Sequence, residues 1–197
     1  KEAILQLAFD GTLAEGMKLN NNGEIKNLIE ITSKIGSGST PKGGKDSYKK
    51  EGVPFIRSMN IRFEGFKDEG IAYLDKYQAE KLKNVIVYEG DILLNITGAS
   101  IGRVTIAPKR MEGARVSQHV SIIRVKKDIS PKYLSLALAS PIFQNQIKEI
   151  QVGVTREAIT KKMIENFSIL VPSRETQEVI VQKTEYFIDL IKNLENK

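Results

Sequence analysis

Apolar residues follow a helical period at the two ends of this chain and fall into short β-like runs between them. In residues 1–10, Ile4, Leu7 and Ala8 lie on one helical face, and Gly11 follows as a stop. Asn20, Asn21, Asn22 and Gly23 read as a turn or linker. Residues 25–35 are short and apolar. Residues 36–52, with Gly36, Gly38, Gly43, Gly44 and Gly52 among lysines, predict a long exposed loop. Strands are expected at 53–56, 85–88, 92–96, 104–107, 120–125 and 167–171, where β-branched residues cluster. A helix is expected over 75–84 with Asp75 as its cap and Asn84 at its end, and another over 131–150, capped by Ser130 and broken at Pro141. A short helix is expected over 157–164.

The last element, residues 174–196, carries a heptad-like stripe. Ile180, Phe187 and Leu194 recur every seven residues, with Thr184 and Ile191 between them. Such a helix reaches about 30 Å. That exceeds what a small domain needs for its own core, so Ile180, Phe187, Ile191 and Leu194 are expected to pack on another long helix, from the same chain's N-terminal region or from a second copy. The fold class that follows is α+β: a mixed globular domain over 25–172, an N-terminal helical segment and linker over 1–24, and a long C-terminal helix over 173–197.

Composition narrows the function. The chain has 197 residues, 41% of them hydrophobic, which is enough for a real core. Lys and Arg total 30 against 24 acids, a formal charge of +6, which permits a polyanionic partner. Cysteine is absent, so disulfides and thiolate metal sites are excluded, in keeping with a reducing cytoplasm. No apolar run is long enough to span a membrane. The sequence opens on Lys1 inside a helical pattern, and its natural start is expected upstream.

Catalytic signatures are missing from the pattern. His119 is the single histidine, and no fixed nucleophile accompanies it. The Gly-rich stretch from Gly36 lacks the spacing of a P-loop or a dinucleotide-binding turn. Asp91 follows Gly90 and precedes an apolar strand, which is ordinary turn chemistry rather than a Mg²⁺ site. None of the six prolines forms a methyltransferase motif. No enzyme activity, cofactor or metal is expected of this chain.

Five segments in order carry a family resemblance. They are Ala3 to Leu13; Gly36 to Pro41 with Val53 to Ile61; Gly90 to Arg103 (GDILLNITGASIGR); Gly153 to Arg156; and Val171-Pro172 with Glu175-Thr176-Gln177. Together they resemble the specificity subunit of type I restriction-modification enzymes, over nearly the whole chain. The resemblance implies a DNA target-recognition domain flanked by helices of a coiled-coil-like spacer. It implies double-stranded DNA, methyltransferase subunits and, in the full complex, a restriction subunit as partners. With one recognition domain, the chain is either a half-subunit that pairs with a second copy or the C-terminal half of a longer one. Two other readings stay open: the recognition domain of a fused type II restriction-methylation enzyme, and a helical scaffold that binds only protein.

If the chain reads DNA, lysines supply affinity through phosphates and base-edge contacts supply specificity. Lys42, Lys45, Lys49 and Lys50 are expected at phosphates, with Ser37, Ser39 and Thr40 donating nearby. Arg57 and Asn60 suit guanine and adenine. Thr97, Ser100 and Arg103 lie on a glycine-punctuated loop, Gln118 and His119 have the right reach, and Thr155 and Arg156 complete the expected set.

Overall fold

The computed structural model describes residues 1–10, 23–152 and 158–195. The first helix, α1 (Glu2–Phe9), turns Leu5 and Ala8 inward and leaves Leu7 47% exposed. Its buried stripe is therefore rotated from the expected Ile4–Leu7–Ala8 face. The reason is its neighbour: Phe9 stacks at 5.4 Å on Tyr133 of a later helix, which fixes the rotation.

The apolar run after the linker splits into three elements: β1 (Glu24–Asn27), the single-turn α2 (Leu28–Ile31) and β2 (Thr32–Ser37). The split is encoded by Asn27, whose amide N–H donates to the Glu30 carboxylate at 2.7 Å in a capping box. Beyond β2 lie a 3₁₀ turn (Gly44–Ser47), β3 (Val53–Ile56), a second 3₁₀ turn (Ser58–Asn60), β4 (Ile61–Arg62), β5 (Gly65–Phe66) and β6 (Ala72–Leu74). The stretch from Gly36 is thus not wholly loop: Gly36 and Ser37 close β2, and Tyr48 packs on Phe55 with ring centroids 5.6 Å apart.

α3 (Lys76–Lys81) begins as expected at Asp75, whose carboxylate accepts from the Gln78 amide at 2.8 Å. It ends at Lys81, before Asn84, and a 3₁₀ turn covers Lys83–Val85. The strand expected at 85–88 does not form; Ile86 makes only an isolated bridge to Arg115. On the edge facing Arg115, pairing is limited to Val87, whose N–H and carbonyl bond Ala114 and Gly113 at 3.0 and 2.9 Å; on the other edge side chains take the backbone groups, the Ile86 carbonyl accepting from Arg124 at 3.0 Å and the Tyr88 N–H donating to Asp91 at 2.8 Å.

The central strands follow: β7 (Ile92–Asn95), β8 (Val104–Ile106), β9 (Arg115–Val116) and β10 (Val120–Val125). Strands β2, β10, β7 and β8 form, in that order, an antiparallel sheet. β6, β3 and β9 form a smaller one, with β3 and β9 parallel. Both faces of the larger sheet are covered, as the unbroken apolar run in β7 requires. Ile92, Leu94 and Ile123 pack on one face with Leu134, Leu138, Phe143 and Ile147, while Leu93, Val120 and Ile122 pack on the other with Phe55, Ile56, Leu74 and Val116.

The helical cover comes from α4 (Pro131–Ala139) and α5 (Pro141–Val152), divided at Pro141 as its missing N–H demands. α6 (Lys161–Glu165) starts later than the expected 157–164 because Thr160 caps it, accepting from the Met163 amide at 3.3 Å. β11 (Ser168–Val171) then pairs with β1, tying the start of the globule to its end. α7 (Arg174–Glu195) closes the chain. Among the described residues no helix is long and apolar enough to cross a membrane.

α7 is anchored mainly through its first half, with Glu185 beyond it paired to Lys132 at 2.9 Å. Ile180 and Val181, each 2% exposed, pack on Ala8 and Tyr133. The Gln177 amide accepts from Ser130 N–H at 2.8 Å and donates to the Pro172 carbonyl at 2.9 Å. Ile180 thus packs on the chain's own N-terminal helix and on α4. Further along, Phe187, Leu190 and Leu194 are 38%, 43% and 63% exposed, and Ile191 is half-buried.

Candidate nucleic-acid interface

The segment from Gly90 to Arg103 builds a platform before it presents anything. At its start the Asp91 carboxylate, almost fully buried, is gripped by Arg124 through Nε at 2.7 Å and Nη2 at 2.8 Å. Tyr88 covers the guanidinium at 4.0 Å. The pairing with Asp91, partly opposed by burial, raises the Arg124 pKa above its usual value. At the far end of β7, Asn95 is fully buried and its Nδ2 donates to the Ser58 carbonyl at 3.0 Å and to Ser100 Oγ at 3.1 Å. Between these anchors the strand is paired on both edges; beyond Asn95 the backbone turns out into the loop 97–103.

Two glycines permit the loops to meet. Gly102 has φ of +85°, and a Cβ there would lie 2.6 Å from Gln144 Oε1. Its carbonyl accepts from Gln144 Nε2 at 3.0 Å, which locks the loop to α5. Gly38 donates its N–H to the Ser117 carbonyl at 3.3 Å, and a Cβ there would fall 1.7 Å from the Val116 carbonyl oxygen. That contact holds the turn 117–119, from which His119 returns its carbonyl to Ile96 N–H at 3.0 Å.

The result is an open depression of about 370 Å³ lined by Ser58, Thr97, Gly98, Ala99, Ser100, Arg103 and His119. Four of the expected DNA-contacting residues, Thr97, Ser100, Arg103 and His119, converge here. Thr97 Oγ1 lies 2.5 Å from His119 Nδ1, and the other ring nitrogen lies 3.3 Å from the amide of exposed Gln118. The histidine is thus held by a hydroxyl and an amide. Hydroxyls, a guanidinium and an amide offer donors and acceptors suited to base edges and phosphates. Among the described residues no group of three His, Asp or Glu side chains is placed to hold a metal ion.

The model of the family described as type I restriction modification DNA specificity domain matches residues 17–197. The chain belongs to this family. It is 30% identical over 158 residues to the specificity subunit of type I restriction enzyme EcoBI from Escherichia coli, covering 75% of this chain and 31% of that protein. It is 28% identical over 201 residues to the putative type I restriction enzyme MjaX specificity subunit from Methanocaldococcus jannaschii, covering 98% and 44%. The chain therefore spans less than half the length of these relatives.

Among solved structures, the HsdS subunit from Thermoanaerobacter tengcongensis superposes with a TM-score of 0.72 at 19% identity, over 99% of this chain and 45% of that one. The type I restriction-modification S subunit from M. genitalium gives 0.65 at 16% identity, over 97% and 48%. The specificity-domain fold is shared.

In this family member the other expected contact residues are dispersed. Ser39, Thr40 and Lys42 line a second cleft of about 420 Å³ with Tyr77 and Lys81, two residues the sequence pattern did not single out. Tyr77 is 71% exposed, with the Lys81 ammonium 4.1 Å from its ring centroid. An exposed aromatic four residues before a lysine on a capped helix was the available signal. Ser37 is exposed at the end of β2, and Lys45 and Lys50 are exposed. Lys49 is not a free charge: its ammonium lies 3.5 Å from Asp75.

Asn60 is turned away from the expected base-reading role, and Arg57 is engaged by its own chain. Asn60 is fully buried; its Oδ1 accepts from the Arg57 N–H at 3.0 Å and its Nδ2 donates to Lys67 and Glu69 carbonyls at 2.9 and 3.3 Å. The amide is spent on holding the turn after β3. The Arg57 guanidinium donates to the Gly70 carbonyl and lies 5.4 Å from the Tyr48 ring centroid. Ser58, between them, is the residue of that turn that reaches the depression. Thr155 and Arg156 lie outside the described residues.

Proposed function

We propose that the chain is the DNA-recognition half of a type I restriction-modification specificity subunit, working in the cytoplasm and reading one part of a split duplex target. Residues 25–172 form the target-recognition domain. Residues 1–24 hold the end of the helical spacer and a linker, and residues 173–197 its second helix; the spacer joins a second specificity half and carries the methyltransferase subunits and, through them, the restriction subunit. The chain supplies base selection and leaves methyl transfer and cleavage to those partners.

The observation that carries this reading is the convergence of Ser58, Thr97, Ser100, Arg103 and His119 on one open surface, from chain segments far apart in sequence. Lys42, Lys45 and Lys50 supply exposed cationic charge for phosphates. The test is enrichment of duplexes from a random-sequence pool by the full protein. A short motif is expected to emerge. Binding that is salt-sensitive but leaves the pool random would overturn the reading, as would methyl transfer by the purified chain alone.

A further inference from the structure

Gln118 occupies a position that the scaffold has prepared for an amide. It projects from the turn 117–119, which is held from behind by the Gly38 N–H on the Ser117 carbonyl and by Ile96 N–H on the His119 carbonyl. The His119 N–H adds a 3.3 Å bond to Ser117 Oγ. The turn therefore has little freedom, and a side chain on it starts from a fixed Cα.

The side chain itself is tethered at one edge. Gln118 Nε2 lies 3.3 Å from His119 Nε2, and His119 Nδ1 lies 2.5 Å from Thr97 Oγ1. This makes a single chain of polar groups: amide, imidazole, hydroxyl. When the amide donates to His119 Nε2, that nitrogen carries no proton, so Nδ1–H donates to Thr97 and the threonine hydroxyl keeps its own proton for an outside acceptor. The amide then keeps its carbonyl oxygen and one N–H facing outward. That pair is the bidentate complement of adenine, whose N6–H₂ donates and whose N7 accepts in the major groove.

Resting on the reading of this chain as a DNA-recognition module, we propose that Gln118 reads an adenine in the major groove of the target and that His119 is its positioning residue, fixed in turn by Thr97. A free glutamine would have to order its rotatable bonds on binding, at an entropic cost that lowers discrimination. The tether removes part of that cost in advance.

The experiment is duplex enrichment by the full protein, run with wild type, Gln118→Ala, Gln118→Glu, His119→Ala and His119→Gln, with folding of each checked by thermal melt. One position of the wild-type motif is expected to be adenine. Gln118→Ala relaxes that position alone, by about 5- to 150-fold in preference. Gln118→Glu, acceptor-only, moves it toward cytosine, whose N4–H₂ donates. His119→Ala weakens the preference with little change in binding to scrambled duplex, and His119→Gln, which restores a terminal amide near the imidazole Nε2 position, recovers part of it. If the wild type selects a motif and Gln118→Ala leaves every position unchanged, the assignment of Gln118 is overturned while the DNA-recognition reading stands. If the wild type selects nothing, both fall.

Discussion

Replacing Asp91 with alanine tests whether the clip at the start of β7 holds the recognition platform together. Among the described residues, two ion pairs share one bidentate geometry. Arg124 grips Asp91 through Nε and Nη2 at 2.7 and 2.8 Å, and Arg110 grips Asp68 at 2.7 and 2.6 Å. They differ in burial: the Asp91 side chain is 1% exposed and Arg124 26%, whereas Asp68 and Arg110 are each 54% exposed. Removing one partner of a buried pair costs roughly 3–5 kcal/mol, because the other charge is left without compensation. Arg124 keeps the Ile86 carbonyl and the Tyr88 ring, which places the cost at the lower end, about 3 kcal/mol. For a domain of this size that lowers the melting temperature by roughly 6 to 12 °C. Asp68→Ala removes bonds of equal length in solvent, and its shift is expected to be small beside that of Asp91→Ala. Paired thermal melts at neutral pH make the comparison. Equal shifts would refute the argument that burial, rather than bond geometry, sets the value of the clip.

Gly38→Ala is expected to destabilise the chain and displace the turn 117–119, whereas Gly36→Ala, whose Cβ meets nothing within 4 Å, is expected to be close to neutral; melts and amide exchange at Ser117 and His119 tell them apart. Lys42→Ala and Lys50→Ala should each lower the salt slope of duplex binding by about one, while Lys49→Ala, already neutralised in part by Asp75, should lower it less. Phe187→Asp with Ile191→Asp is expected to abolish pairing of the last helix with a second long helix, read by sedimentation, and to leave the globule folded. Ile180→Asp should unfold it, since that side chain is buried against Ala8 and Tyr133.

Much of this fold was legible because local chemistry and tertiary context agree. Asp75, Ser130 and Pro141 mark helix boundaries by their own side chains, and the structure uses each of them. The run 85–88 misled because its alternation is genuine: Val85 and Val87 are buried, but Arg124 and Asp91, distant in sequence, take the backbone groups of Ile86 and Tyr88. The convergence of Thr97, Ser100, Arg103 and His119 was anticipated only as a set of candidates, since the pairing of β7 with β10 that joins them is a long-range fact. Asn60 looked like a reader because it follows a strand; its amide is consumed by carbonyls of the next hairpin, which no local pattern announces.

On the proposed reading, the depression between the loop 97–103 and the turn 117–119 chooses the DNA sequence. The most direct measurement is a map of methylated sites on genomic DNA, made with the matching modification subunits and either the wild-type protein or one changed at Thr97, Ser100 and Gln118. The account predicts that methylation moves to different or degenerate sequences within the half-site read by this domain, at similar overall yield. Methylation of the same sites by both proteins would contradict it.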